Sequence, residues 1–233
     1  MPVSQAERVQ FFFDPLCPWA FQASLWIREV QRLVPMEVRW RFFSLEEANR
    51  EEGKKHPWER PWTYGWSLMR VGALLGRLDP ALLDRWYLGV GTAMHLDGRK
   101  VFLQDQAEAL AVELGLPSNV VTRAQEDQTT SDEVLADHRY AVAALGAFGV
   151  PTLVFPSEGS DGPGRAVFGP VVAPAPKGEE ALRLFEMVKT WTGFSHLYEL
   201  KTPKGEKDLA HIAKCFEPYL RARQWQSVEN PAP

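Results

Sequence analysis

Residues 14–20 read Asp-Pro-Leu-Cys-Pro-Trp-Ala, and this stretch decides how the whole chain is interpreted. It follows the apolar run Val9 to Phe13. Arg8 to Phe13 has the length and aromatic content of a buried strand, and a helical pattern runs from Pro18 to Leu33. A cysteine between a strand and a helix start faces free backbone N–H groups and the positive end of the helix dipole. Both favour thiolate over thiol, so we predict that Cys17 is a reactive cysteine with a lowered pKa.

The residue three positions after Cys17 is Ala20, where a thioredoxin-type redox site would have its second cysteine. Without that cysteine, the short internal disulfide of such sites cannot form. The expected chemistry is therefore monothiol: Cys17 forms a mixed disulfide that a second small thiol releases. Oxidation of Cys17 to a sulfenic acid, capped by a small thiol, is a second route. A buried, inert cysteine is the alternative without function.

Composition limits the class of protein. With 233 residues, 45% of them hydrophobic, the chain can form one large domain or a domain with a substantial insertion. Its two cysteines lie far apart, which fits a reducing compartment. No secretory signal and no membrane-spanning run is recognised, so a soluble, cytoplasmic protein is expected. The net charge of -4, with both signs interspersed, predicts neither nucleic-acid nor membrane partners.

The predicted elements follow the order β-α-β, a helical segment, then β-β-α. After the first helix, Met36 to Phe43 is expected to form the second strand, and residues 149–155 and 165–169 a hairpin with a long tip. Residues 130–133, Thr-Ser-Asp-Glu, resemble a capping box that opens a helix, which Gly146 and Gly149 end. A helix from about Glu179 follows. After Pro203 we expect one amphipathic helix, with an apolar side formed by Leu209, Ile212, Phe216 and Leu220.

This order, together with local motifs, resembles the DsbA-like thioredoxin family in its cytoplasmic branch. Within that branch the chain is most similar to the mycothiol-dependent nitroreductase, or FrnE-like, group. The motifs that carry the resemblance are residues 13–19, Ser44-Leu45 with Asn49, His95, and residues 149–152, 167–171, 176–180 and 196–201. In that family, two cysteines in a Cys-Pro-Trp-Cys motif cycle between dithiol and disulfide, with mycothiol as reductant. Ala20 is the departure from this pattern.

The resemblance implies an α/β protein with a thioredoxin-like fold, a DsbA-like helical insertion domain and an extra C-terminal helix. The expected thioredoxin-like domain comprises residues 1–45 and 146–201, the helical insertion domain residues 46–145, and the C-terminal extension residues 202–233. The resemblance also implies a low-molecular-weight thiol, mycothiol or glutathione, as co-substrate. No tightly bound cofactor is expected, and the partner is a small thiol or disulfide substrate. The oligomeric state stays open.

Pro151 is the second chemical clue. A proline at the start of a strand marks an edge, a bend or a cis peptide. The family match favours a cis Val150-Pro151 bond that faces Cys17 and offers its backbone to an extended thiol substrate. Pro18 and Trp19 stand next to Cys17 and are expected to contact the same substrate, although Trp19 alone could also pack on its own helix.

His95 is the second candidate catalytic residue. An imidazole near a thiolate can tune its pKa or relay a proton, whereas a lone histidine on a helix is often structural. Asn49 is a candidate for binding the thiol, and its alternative is an ordinary turn or cap. The aromatic residues between His56 and Trp66 either cover a pocket or pack the two domains together.

Other chemistry finds less support. The histidines have no metal-ligand spacing with either cysteine, so no metal is expected. Cys215 could act as a distant resolving thiol if the terminal helix folded back over the site. It lies on the apolar side of the last predicted helix, however, where cysteine usually behaves as a small hydrophobe. The competing class of function is a non-redox isomerase or transferase that binds a thiol, as kappa-class glutathione transferases and hydroxychromene-carboxylate isomerases do, or a plain binding module.

Overall fold

The computed structural model describes residues 7–156 and 164–223 of the chain. Its sheet has four strands, namely β1 Glu7–Phe13, β2 Met36–Phe42, β3 Thr152–Val154 and β4 Ala166–Phe168, in the order β2-β1-β3-β4. β1 is parallel to β2 and antiparallel to β3, and β3 is antiparallel to β4. The predicted hairpin is confirmed, and most of its expected tip, residues 157–163, lies outside the described residues.

The helices surround this sheet. Helix α1 Pro18–Leu33 joins β1 to β2, as predicted. Between β2 and β3 follow α2 Leu45–Ala48, a 3-10 turn Pro57–Glu59, α3 Tyr64–Leu78, α4 Pro80–Gly91, a π-helical turn Thr92–Leu96, α5 Gln104–Glu113, α6 Val120–Glu126 and α7 Gln128–Leu145. After β4 come α8 Gly178–Trp191, α9 Glu206–Cys215 and α10 Glu217–Ala222.

The helices between β2 and β3 share the core of the sheet and also have a core of their own. Phe13 of β1 stacks on Tyr87 of α4 with ring centroids 3.8 Å apart. Trp66 and Val134, from α3 and α7, belong to the same buried cluster as the sheet residues. A second buried cluster joins α3, α4, α5, α6 and Tyr219 of α10. Cys17, which follows β1, belongs to a third buried cluster together with Ala20 and Val150.

The predicted start of α7 is wrong. The helix begins at Gln128, and Asp127 is its N-cap, whose carboxylate accepts from the backbone N–H of Thr129. Thr130 and Ser131 are buried inside the helix, and the Thr130 hydroxyl accepts from the guanidinium of Arg70. An aspartate cap therefore stands three residues before the predicted one. The end is as expected, because Gly146 terminates the helix with a φ of 66°.

The prediction of one amphipathic helix after Pro203 is also wrong. Phe216 leaves helical geometry with φ -104° and ψ 7°, and Pro218 in the first turn of α10 cannot continue the hydrogen bonds of α9. The predicted apolar side is split as well: Leu209 and Leu220 are 54% and 46% exposed, whereas Phe216 is 6% exposed. Two short helices with different surroundings replace the single one.

Candidate functional site

Cys17 is the N-cap of α1 and is nearly buried, with 7% exposure. Its Sγ accepts from the backbone N–H of Ala20 at 3.4 Å. The thiol in turn donates to the backbone carbonyl oxygen of Val150 at 3.7 Å. The local sequence explains this position, because the first helical residue is Pro18, which fits the first turn and leaves the capping role to Cys17.

The Val150-Pro151 peptide bond is cis, as predicted, and Val150 faces Cys17 through its carbonyl oxygen. The backbone around it is hydrogen-bonded on the other side. The Pro151 carbonyl oxygen accepts from the N–H of Gly169 at 2.8 Å, and the Thr152 hydroxyl donates to the carbonyl oxygen of Gly149 at 2.8 Å. The strand β3 and the residue after β4 thus hold this turn opposite the cysteine.

The expectation of a lowered pKa for Cys17 is not met. Burial raises the pKa of the thiol to about 11, and the nearby charge of Asp14 adds to the rise. The hydrogen bond from the Ala20 N–H acts in the opposite direction, but it does not offset the desolvation of a thiolate. In this form of the protein Cys17 is a protonated thiol at neutral pH.

Asp14 is a buried residue next to Cys17 that sequence reasoning did not single out. Its side chain is fully buried, one carboxylate oxygen accepts from the N–H of Leu16 at 2.9 Å, and the other accepts from the N–H of Leu45 at 2.8 Å. It therefore ties the loop before Cys17 to the start of α2. Burial raises the pKa of its carboxyl to about 7. The signal was present, since an aspartate three residues before Cys17 ends an apolar strand.

His95 is buried under the same loop. Its Nε2 contacts the carbonyl oxygen of Pro15 at 2.9 Å, a bond in which the imidazole N–H is the donor. Its ring stacks on Phe21 of α1 with centroids 5.1 Å apart. Burial lowers its pKa to about 4, so the ring is neutral at pH 7. His95 therefore positions the backbone two residues before Cys17, and no described hydrogen bond joins it to the sulfur itself.

Trp19 and Pro18 are half-buried next to Cys17, whereas Asn49 is placed differently. Asn49 is exposed at the end of α2, and its side-chain amide donates to the carbonyl oxygen of Leu45 at 2.7 Å. Within the described part of the chain, none of its hydrogen bonds reaches Cys17. The structure thus brings together Cys17, Val150, Pro151 and Trp19, with His95 behind the loop, and gives Asn49 a helix-capping contact.

The described part of the C-terminal extension folds back over this site, an arrangement that the sequence offered only as an alternative. Phe216 packs edge-on against Trp19 with ring centroids 4.6 Å apart. Tyr219 packs against His95 with centroids 5.0 Å apart. Both cysteines are free, and the Sγ of Cys215 lies 3.7 Å from Nε2 of His211. Apolar spacing alone could not show that this segment folds back.

The aromatic residues from 56 to 66 serve mainly to pack helices. Trp62 donates to the carbonyl oxygen of Phe102, and Trp66 donates to the Ser131 hydroxyl. Trp58, stacked on His56, lines a pocket of about 390 Å³ that includes Glu47 and His138 but none of the predicted site residues. Across residues 7–156 and 164–223, no group of three metal-ligating side chains occurs, and no helix there is long and apolar enough to cross a membrane.

Comparison with known proteins gives a family match over most of the chain. The family model described as Rv2466c-like, mycothiol-dependent nitroreductase Rv2466c, matches residues 16–202. A Mycobacterium tuberculosis protein, described as uncharacterized protein Rv2286c, is 47% identical over 222 residues, which are 95% of this chain and 93% of that protein. Since 31 of the 233 residues follow residue 202, that alignment takes in part of the C-terminal extension.

Solved structures share the fold. A probable DsbA oxidoreductase from Streptomyces coelicolor superposes with a TM-score of 0.53 at 23% identity, over 85% of this chain and 94% of its own. The cytosolic disulfide reductase DsbM from Pseudomonas aeruginosa gives 0.54 at 16% identity, over 79% and 99%. A 2-hydroxychromene-2-carboxylate isomerase gives 0.56 at 16% identity, over 80% and 94%. The predicted α/β, thioredoxin-like fold with a helical insertion is confirmed.

Proposed function

This chain belongs to the Rv2466c-like family of mycothiol-dependent nitroreductases, and from that membership we propose that it is a thiol-disulfide oxidoreductase that works through Cys17 alone. The observation that carries the proposal is the Cys17 thiol, which lies at the start of α1 and donates a hydrogen bond to the carbonyl oxygen of Val150. Ala20 occupies the place of a second cysteine. The missing group is the one that would resolve a mixed disulfide from within the protein.

The proposed cycle has two exchange steps. The Cys17 thiolate, formed by loss of the thiol proton to solvent, attacks one sulfur of a small disulfide; a Cys17–S–S–R bond forms and the other sulfur leaves as a thiolate. A small thiolate then attacks the sulfur of the bound R group, which forms a new small disulfide and returns Cys17 as a thiolate. Electrons balance in each step, because one disulfide bond forms as another breaks.

The residues around Cys17 would hold the substrate and the reacting sulfur in position. Trp19 and Pro18 flank the sulfur, and the cis Val150-Pro151 turn offers a backbone edge beside it. His95 and Asp14 hold the loop that carries Cys17, and Asn49 is retained as a candidate contact to a longer thiol. We propose mycothiol, or glutathione, as co-substrate and no tightly bound cofactor. The proposed place of action is the cytoplasm, where cysteines remain reduced.

A non-redox role is the second candidate, because one observation favours it. In this structure Cys17 is a protonated thiol, because burial raises its pKa to about 11, and it donates a hydrogen bond to the carbonyl oxygen of Val150. A hydroxyl can do the same. An isomerase, a transferase or a binding protein that holds a thiol without oxidising it would therefore tolerate serine at this position.

Substitution separates the two candidates. We expect Cys17→Ser to abolish exchange between a small mixed disulfide and free mycothiol, measured as release of the small thiol, while Cys215→Ser retains the wild-type rate. Retention of the activity by Cys17→Ser would contradict the oxidoreductase proposal. Loss of activity in both variants would instead indicate that Cys215 takes part.

A further inference from the structure

We propose that the C-terminal lid, defined as residues 206–222, is an autoinhibitory element that closes the site in this chain and must open before Cys17 reacts. The inference rests on the proposed role of Cys17 as the reacting thiol. It goes beyond that role, because it assigns a function to a segment that lies after the end of the family match at residue 202.

The lid lies directly on two residues of the candidate site. Phe216 covers Trp19, the residue that flanks the sulfur, and Tyr219 covers His95. Phe216 is 6% exposed and Tyr219 8% exposed, so both side chains are held in the closed position. Burial raises the pKa of the Tyr219 hydroxyl, which agrees with a covered position. The lid therefore covers Trp19, the side chain that the proposed substrate would contact next to Cys17.

Closure of the lid keeps Cys17 in an unreactive state. Cys17 is 7% exposed, and its thiol is a hydrogen-bond donor rather than a nucleophilic thiolate. The Nδ1 atom of His95 is buried and has no hydrogen-bond partner among the described residues. A buried acceptor without a hydrogen bond lowers the stability of the folded state. We therefore interpret Nδ1 as an atom that gains a hydrogen-bond partner when the lid opens. The closed form is thus protected but not ready to react.

The lid is attached to the rest of the protein by few buried side chains. Helix α9 has no buried residue, and only Phe216, Tyr219 and Ala222 anchor the segment. Arg165 donates to the carbonyl oxygens of Phe194 and Leu197, which fixes the chain up to that point. Residues 198–205 then run exposed, without helix or strand. Few buried contacts and an exposed connection are the properties of a segment that opens locally without global unfolding.

The contact surface also fits a reversible closure. Gly98 has a φ of 68° and approaches the backbone of Pro218 so closely that a Cβ atom there would lie 3.0 Å from the Pro218 carbonyl oxygen. The lid meets this side of the site through backbone and ring faces. In the described parts of the chain, no salt bridge joins the lid to the residues around Cys17.

The test measures access to Cys17 rather than turnover, so that it stays informative if the proposed exchange activity fails. The full-length variants Phe216→Ala, Tyr219→Ala and their combination are treated with iodoacetamide, and alkylation of Cys17 is followed by peptide mass spectrometry. Leu209→Ala is the matched control, because Leu209 belongs to the lid but is 54% exposed. We expect alkylation about tenfold faster in the double variant, which corresponds to about 1.4 kcal/mol, and a rate within about twofold of wild type for the control.

A wild-type rate of alkylation in the folded double variant would overturn the proposal. If the double variant fails to fold, hydrogen exchange of the wild-type chain decides. Carboxamidomethylation of Cys17 with iodoacetamide should then accelerate exchange of amides within residues 206–222 and leave the centre of α1 unchanged. Unchanged exchange in the lid after modification would contradict closure over Cys17.

Discussion

Cys17 and Ala20 form the pair on which the proposed chemistry depends. The backbone N–H of Ala20 already donates to the Cys17 sulfur, and its side chain is fully buried. A cysteine placed there would lie one helical turn from Cys17, at the spacing that lets the two sulfurs join. Replacing Ala20 with cysteine would therefore convert the proposed monothiol site into a dithiol site.

We predict that Ala20→Cys forms an internal disulfide with Cys17. After incubation with a small disulfide, its intact mass should fall by two hydrogens and show no lasting adduct, because the new thiol releases the bound group. The cost in stability is expected to be about 1–3 kcal/mol, since a larger atom enters a packed site. Ala20→Ser is the matched control, similar in size but unable to resolve an adduct. A lasting adduct on Ala20→Cys would contradict this geometry.

His95 gives a prediction on pH dependence. Its pKa is lowered to about 4, so in the native state the ring stays neutral over a range where the unfolded chain, with a pKa of about 6.5, is protonated. The unfolded state therefore binds more protons between these values. The contribution of His95 to stability rises with pH across this window and is complete above it.

The matched variant is His95→Gln, which retains an N–H donor for the Pro15 carbonyl but does not titrate. We expect the free energy of unfolding of wild type, minus that of the variant, to increase by about 3 kcal/mol between pH 4 and pH 6.5. Denaturant unfolding at several pH values measures it. A difference that does not change with pH would mean that His95 is not held neutral by its surroundings.

At the scale of elements, α1 and α4 meet at a glycine that positions the histidine. A Cβ atom at Gly91 would lie 2.1 Å from a ring carbon of Phe21, closer than any real contact. The π-helical turn that carries His95 begins at the next residue. The close approach of these helices therefore sets where His95 stacks on Phe21 and where its N–H meets the Pro15 carbonyl.

We predict that Gly91→Ala destabilises the protein by about 1–3 kcal/mol, because Phe21 cannot move without disturbing α1. Gly76→Ala in α3 is the control: its nearest neighbour would be 3.3 Å away, and alanine favours a helix over glycine by about 1 kcal/mol. Thermal unfolding compares the two. Equal stability of both variants would show that the helix contact is less tight than described.

The limits of sequence reasoning are also clearest at this scale. Periodicity located β1, α1 and β2 almost to the residue, because each element has a continuous apolar pattern and a clear boundary such as Pro18. It misplaced the start of α7, since Asp127 and a serine-threonine pair compete for the same role and only tertiary contacts decide. It merged α9 and α10, whose apolar spacing continues across a break at Pro218.

At the scale of the whole molecule, the site depends on segments far apart in sequence. The motif around residue 17 and the proline at 151 could be found from sequence, since each has a local pattern and a family resemblance. The raised pKa of Cys17, the two backbone bonds of Asp14 and the closure by Phe216 could not. They arise from burial and from contacts between distant segments, which no spacing encodes.

The shared core leads to a prediction about cooperativity. Because Tyr87, Trp66 and Val134 of the helical segment pack in one cluster with the sheet, the two parts should not unfold separately. We expect a single thermal transition, with coincident midpoints by near-UV and far-UV circular dichroism. Two separated transitions would instead indicate that residues 46–145 form an independent domain.

The central claim is that Cys17 acts as a single thiol and that an external thiol releases its adduct. The most direct measurement is the intact mass of the wild-type chain after incubation with mycothiol disulfide, followed by addition of free mycothiol. We expect one mycothiol adduct, mapped to Cys17, that disappears when the free thiol is added. Absence of an adduct, or a mass loss of two hydrogens that maps to a disulfide between Cys17 and Cys215, would contradict it.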